Sequence, residues 1–377
     1  MMTKGGNYAD HYNNSNLKIA LVHELLVKLG GAERVLKVLA DQFHEAPIYT
    51  LLHNPKKTEE WFAGKKIHPS KLQTAYRLFG SHRILLPWMS KAIEQFDFHH
   101  YDVVISSSSA FAHGIKTGPS TKHICYCHSP MRYAWDFTHD YVKHDSAIKR
   151  FMVAKMLNKI RQWDFEAASR PDILLANSKH VQKRIQKYWR RDSEVLYPPV
   201  DVKRFTPTTK HEDYFLIVSA LTPFKNIELA IRTFNKIRRK LVIIGDGLQK
   251  DWLKSIAEDN IEFLGRQDDH EVRDYLEHCR ALIFPGEEDF GIVPVEAMAA
   301  GKPVLAYGKG GVLESVQAGV SGEFFFEPTP QSLENGLARL MANENHYNRQ
   351  TIRSIAEQFD TTVFERKIVA LINKAIG

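Results

Sequence analysis

At 377 residues, with 44% hydrophobic and 25% charged side chains, the chain is longer than one hydrophobic core normally organises and reads as a globular protein of two domains. No apolar run approaches the roughly 18 residues of a spanning helix, and the opening "MMTKGGNYADHYNNSN" has no apolar leader segment, so the reading excludes spanning and secretory classes and expects a cytoplasmic protein. The formal charge of +7, with an isoelectric point near 9.0, admits nucleic acid, an anionic membrane or a phosphate-rich ligand without choosing among them.

Residues 1–16 read as a flexible N-terminus. Beyond them, short β-branched runs alternate with longer helical patterns. The strand candidates of the first half are "LKIALV" from residue 17, "PIYTLL" from 47, "YDVVIS" from 101, "KHICYC" from 122 and "DILLAN" from 172. Between them, "GAERVLKVLADQF" repeats Val35, Leu36, Leu39 and Phe43 at helical spacing. The run "SSSS" at 106–109 follows a strand and is predicted as a tight loop, either a solvated turn or part of a cleft lining. Residues 197–213, "YPPVDVKRFTPTTKHED", are rich in proline and charge and form the predicted linker. The second half restarts the alternation with "YFLIVS" from 214, "KLVIIG" from 240, "IEFLG" from 261, "ALIFP" from 281, "KPVLAY" from 302 and "GEFFF" from 322, and is helical from about 343 onward.

Strand and helix repeated in this way predict an α/β protein of two facing, Rossmann-like, doubly wound domains with an interdomain cleft. The expected boundaries are 17–200 for an N-terminal domain, 201–355 for a C-terminal domain, and 356–377 for a helix packing back across the junction. Open α/β sheets bind ligands beyond the carboxyl ends of their strands, which places the expected site in the cleft.

The chemistry-bearing residues of the second half point to a nucleotide-linked ligand. Lys225 follows a strand and turn, "LIVSALTPFKN", so that an ammonium stands near a helix start, where an anion is well served; a solvated surface lysine fits the same spacing. "FGIVPVEAM" opens a helix after a glycine and leaves the amides of Gly291, Ile292 and Val293 as orphan donors of the kind that bind phosphate. Glu296 lies one turn deeper in a helix apolar on nearly every face, so its carboxylate needs donors inside the protein. Ribose hydroxyls would supply them, and so would a salt bridge from Lys302 or Lys225.

In the first half, Gly30 and Gly31 stand between a strand and a helix, as a close-approach loop for a phosphate or as a plain turn. No Gly-Lys-Ser/Thr follows, which argues against a nucleotide-hydrolysing loop. His128 ends a strand and opens "HSPMRYAWD", whose Arg132, Tyr133 and Trp135 suit either a sugar face or loop packing. "CYCH", Cys125 to His128, lacks a second cluster and reads as structural thiols more readily than as a metal site. Two basic, aromatic-rich stretches, from residues 56 and 146, have the composition of helices at an anionic interface and equally of helices covering a core.

Glu288 and Glu296, eight apart in "EDFGIVPVE", resemble the Glu-x7-Glu signature of retaining glycosyltransferases of the GT-B fold, family 4. With "FPGEEDFGIVPVEAMAAGKPVLAYGKGGVLESV", "SALTPFKN" and "CYCHSPMRYAWD", the chain from about residue 17 to its end resembles the mannosyltransferase branch that builds O-antigen, capsule and exopolysaccharide. The resemblance implies that Glu288 contacts the transferred sugar and Glu296 the ribose. It also implies that the loop Asp289, Phe290, Gly291, Ile292 and Val293 holds the donor with Lys225. Family members carry an arginine five residues before that lysine; Ala220 stands there, with Arg266 and Lys309 as candidate substitutes. By the same resemblance Gly30 and Gly31 face donor phosphate and acceptor, His128 contacts the donor sugar, and Arg132, Tyr133 and Trp135 lie on the acceptor side.

The implied reaction is retaining hexosyl transfer with His128, Glu288 and Lys225 as the catalytic set. The donor is a nucleotide sugar, GDP-mannose favoured over a UDP-sugar, and the acceptor a glycan or polyprenyl-diphosphate-linked glycan at the anionic inner membrane face. No cofactor and no metal are expected, since no Asp-x-Asp pair occurs to hold a metal. Nucleic acid is not an expected partner, because the basic residues are spread through both halves. An epimerase or phosphorylase of the same architecture, and a non-catalytic basic binding protein, are the alternatives.

Overall fold

In a computed structural model that describes residues 17–136, 147–208 and 211–377, the chain forms two compact units. One comprises the chain up to Leu196 together with Phe364–Gly377; the other is Tyr197–Val363. The expected flexible N-terminus, 1–16, lies outside the described residues.

The first unit is a seven-stranded sheet of β1 (Ile19–Leu26), β2 (Ile48–His53), β3 (Ile67–Pro69), β4 (Val103–Ser108), β5 (Lys122–Cys127), β6 (Ile173–Ala176) and β7 (Glu194–Val195). The order is β3-β2-β1-β4-β5-β6-β7, with every pairing parallel. Alternate strand residues feed opposite faces, as the period of two requires. Leu21, Ile105 and Tyr126 meet Val35, Leu36 and Leu39 of the helix Gly31–Gln42 on one face. Val22 and Val104 meet Met89 of the helix Leu86–Ile93 and Leu157 of the helix Ala147–Ala167 on the other.

The final helix, Thr361–Ile376, lays Phe364, Ile368 and Ile372 into the first of these cores at 2%, 0% and 0% exposure. Their spacing of four forms one apolar stripe, and burial of each such side chain contributes about 1.5–3 kcal/mol.

The second unit is a six-stranded sheet of β8 (Phe215–Val218), β9 (Leu241–Ile244), β10 (Ile261–Gly265), β11 (Ala281–Phe284), β12 (Val304–Tyr307) and β13 (Gly322–Phe325), ordered β10-β9-β8-β11-β12-β13 and parallel throughout. Helices Ile227–Ile237 and Pro330–Ala342 cover one face; Ile292–Ala299 and Arg349–Ala356 cover the other. In each sheet the strand order reverses at one crevice, between β1 and β4 in the first and between β8 and β11 in the second. Those are the positions where doubly wound sheets take ligands.

Among the described residues, no helix is long and apolar enough to cross a membrane. The three cysteines are buried free thiols, and burial pushes Cys125 and Cys279 up to about 12.

Candidate functional site

At the β8–β11 crevice the chain leaves β8, turns through Pro223–Lys225 and enters the helix Ile227–Ile237. Lys225 Nζ lies 2.5 Å from Glu288 Oε1, an ion pair between the two strand ends. Gly286 makes that approach possible, since a Cβ there would meet the Lys225 Cα at 2.9 Å. The amide of Gly311 donates to the Glu288 carbonyl at 2.9 Å, which fixes the backbone that carries the acid.

The helix Ile292–Ala299 begins one loop later. Gly291 precedes it at φ +91°, a conformation a residue with a Cβ adopts only under strain, and no side chain caps the helix start. Its first amides are therefore the orphan donors expected from the sequence. Phe290, buried at 3% exposure, packs against Tyr197 and Phe359 and anchors the loop.

Glu296 is 4% exposed, as its place in an apolar helix requires. Its Oε1 accepts from Arg204 Nη2 at 2.9 Å, while Arg204 Nη1 donates to Asp269 Oδ2 at 2.9 Å. The guanidinium also lies over the ring of Phe205, 4.7 Å from its centroid. An ion pair does satisfy this carboxylate, as one of the two sequence alternatives has it. The cation is neither Lys302 nor Lys225 but a residue of the stretch read as linker, held on a turn at Val202–Arg204.

The other anticipated donor-side cations are at the surface. Arg266 is exposed, and Lys309 is exposed with its ammonium 5.6 Å from the Tyr307 ring centroid. Ala220, at the expected arginine position, is exposed.

At the β1–β4 crevice of the first unit, the first three serines of the run are strand and not loop, and Ser109 follows as a bend. Ser106, Ser107 and Ser108 complete β4 and are buried at 0%, 0% and 1% exposure. Each is matched to a histidine: Ser106 Oγ to His123 Nε2 at 2.8 Å, Ser107 Oγ to His128 Nε2 at 2.8 Å, and Ser108 Oγ to His113 Nδ1 at 3.3 Å. A polar strand end can be buried here because every hydroxyl has a ring nitrogen within reach.

His23, opposite Ser107 in the β1–β4 register, places Nδ1 3.1 Å from Ser107 O and 3.2 Å from Ser107 Oγ. Burial lowers the proton affinity of His23, but the contact with Glu33 and the charge of Glu24 outweigh it, and the ring is held above its ordinary value. Desolvation, with the nearby charge of His23, carries His128 down to about 3, so His128 is neutral at any physiological pH. Burial raises the Glu24 carboxyl; its Oε1 takes the Ser109 amide at 2.6 Å, and Oε2 is buried without a hydrogen-bond partner.

Gly30 and Gly31 open the helix Gly31–Gln42, as expected. Yet Glu33, in its first turn and 5% exposed, brings Oε1 to within 3.6 Å of His23 Nε2, and a Cβ on Gly30 would meet Glu33 Oε2 at 3.0 Å. A carboxylate already occupies much of the favourable field at this helix start, so a phosphate entering there meets like charge.

Arg132, Tyr133 and Trp135 lie on the short helix Arg132–Trp135, each partly buried. Tyr133 lines an apolar cavity of about 350 Å³ with Leu25, Met89, Phe111 and Met156. Trp135 is a packing residue: its indole donates to Asp164 Oδ2 at 2.8 Å and stacks on Tyr188 with ring centroids 4.9 Å apart. Asp164 also accepts from Trp189 at 2.6 Å, and burial pushes its carboxyl up to about 7 against both indoles.

Comparison with known proteins matches residues 29–204 to the model for Glycosyltransferase Family 4 and 201–356 to that for Glycosyl transferases group 1. The chain belongs to the family 4 glycosyltransferases. Within the family it is 29% identical over 213 residues to the uncharacterized glycosyltransferase MJ1178 of Methanocaldococcus jannaschii, a match covering 55% of this chain and 60% of that protein. It is 23% identical to the alpha-1,3/1,6-mannosyltransferase ALG2 of Dictyostelium discoideum, over 96% of this chain and 99% of the relative. The fold is GT-B: the crystal structure of Anabaena Alr3699/HepE in complex with UDP matches at a TM-score of 0.72, with 19% identity, over 95% of this chain and 100% of that one.

Proposed function

We propose that this glycosyltransferase moves a hexose from a nucleotide-diphosphate sugar to a hydroxyl of a glycan or lipid-linked glycan, with retention and without a metal. The observation that carries the reading is the Lys225–Glu288 pair, 2.5 Å long, at the sheet's switch point and on the same loop as the uncapped helix start after Gly291. A cation and orphan amides suit a leaving diphosphate, whose growing charge such preorganised groups stabilise better than water does. Without ligand, ammonium and carboxylate answer each other; with a donor, the ammonium turns to the diphosphate and Glu288 to the sugar hydroxyls. Glu296, oriented by Arg204, is assigned to the ribose, Asp289 and Phe290 to the donor loop, and His128 to a sugar oxygen. Gly30, Gly31 and Arg266 remain donor-side assignments, Gly30 and Gly31 facing the acceptor as well, and Arg132, Tyr133 and Trp135 acceptor-side ones.

GDP-mannose is the favoured donor, since the relative aligned over nearly the whole chain is named a mannosyltransferase; a UDP-sugar is the rival, since Alr3699/HepE was crystallised with UDP. Thermal-shift measurements decide between them. A ligand at 100 times its dissociation constant stabilises by about 2.7 kcal/mol, so GDP and GDP-mannose are expected to raise the melting temperature clearly and UDP little. A larger shift with UDP overturns the donor base, and no shift with either nucleotide overturns the reading.

The acceptor's lipid supports a place at the cytoplasmic face of the membrane. Leu78, Phe79, Ile84, Trp88, Phe151 and Met152 are exposed on the first unit, at 53–79%. Exposed Arg77, Arg83, Lys91, Lys155 and Lys159 lie on the same helices and turn, the composition of an anionic-interface contact. The protein is expected to sediment with vesicles containing anionic lipid and not with neutral ones; recovery in the supernatant in both cases counts against membrane contact.

A further inference from the structure

The proton positions around Ser107 follow from what each neighbour can do. His23 Nδ1 lies 3.1 Å from the Ser107 carbonyl oxygen, which can only accept, so that nitrogen carries a hydrogen. The same Nδ1 is 3.2 Å from Ser107 Oγ and cannot take the hydroxyl's hydrogen. Ser107 is fully buried, and His128 Nε2, 2.8 Å away, is the acceptor left for it. A neutral imidazole that accepts at Nε2 bears its hydrogen on Nδ1. Among the described residues, none makes a hydrogen bond to Nδ1 of His128.

We propose that His23 and Ser107 are positioning residues that lock His128 into the Nδ1–H tautomer, so that it presents an N–H donor to a ligand oxygen and does not serve as a base. The assignment of that oxygen to the donor sugar rests on the functional reading above; the tautomer does not. The charged groups around this relay are Glu24 on β1, Glu33 on the helix Gly31–Gln42 and the His23 ring itself. A protonated His23 faces Glu33 through Nε2 and disfavours a second positive charge on His128. A hydroxyl between two rings thus passes hydrogen-bond polarity from the buried pair to the open one.

Imidazole nitrogen spectra of the ligand-free protein, labelled at histidine and assigned by difference against His128→Gln, test this directly. The expected result is a protonated Nδ1 and an unprotonated Nε2 for His128 at neutral pH. A protonated Nε2 overturns the proposal. Ser107→Ala is expected to release the tautomer towards Nε2–H and to lower kcat roughly tenfold, the scale of one hydrogen bond, with little change in the acceptor KM. Ser107→Thr, which keeps the hydroxyl, is expected to restore both. An unaltered tautomer in Ser107→Ala overturns the positioning role; a shifted tautomer with unchanged turnover overturns the assignment of His128 to the sugar.

Discussion

Lys225→Ala is expected to lower kcat/KM for sugar transfer by about 10²–10³-fold, the cost of removing one preorganised donor from a site where charge develops. The ammonium is 17% exposed and already turned towards Glu288, so little reorganisation separates it from a bound diphosphate. Ala220 stands where the sequence resemblance expects a second cation, so on the proposed reading the electrostatic task falls on Lys225 and the helix amides. Stability should change little, because the partner left behind, Glu288, is 25% exposed and regains water. Steady-state kinetics beside a melting curve separate the two effects. Turnover within threefold of the parent, in a folded variant, would remove Lys225 from the mechanism.

Arg204→Ala is expected to act in the opposite sense, chiefly on folding. It strips Glu296, 6% exposed at its side chain, of the guanidinium that satisfies it, and leaves Asp269 without the second arm of the same fork. Breaking a buried pair from one side costs about 3–5 kcal/mol, and the 17% exposure of Arg204 places the effect near the lower bound. For a unit of this size that corresponds to a fall in melting temperature of roughly 6–12 °C. Arg204→Met combined with Glu296→Gln should recover most of the loss, because it removes both charges together. Calorimetry on the parent, the single and the double variant tests this. A single variant that melts with the parent would mean that Glu296 draws its support from elsewhere.

The strands were legible because parallel strands covered on both faces are continuous apolar runs, and each of the eleven runs quoted above lies on a strand of one of the two sheets. β3 and β7 escaped because three and two residues are too few to show a pattern. Lys225, Glu288 and the helix after Gly291 were legible because local chain order brings them to one crevice. Arg204 was not, since it sits 92 residues from Glu296 within a proline-rich, charged stretch whose local signal is that of a connection. The serine run misled in the same way. Small polar residues in sequence suggest a turn, and only the pairing of β4 with β1 and β5 supplies the histidines that let them lie in a strand. His23 and Ser107 therefore emerged from the register alone; the available clue was a histidine and a glutamate continuing the apolar run of β1.

The last helix gives the molecule an order of assembly. Since Phe364, Ile368 and Ile372 complete a core begun by the first strands, the N-terminal sheet on a ribosome keeps part of that apolar face uncovered until residues 364–372 have emerged. The middle unit, 197–363, is an insertion that emerges whole before its host is finished. Synthesis thus runs inside out: the segment translated second can be complete while the segment translated first still waits for its closing piece.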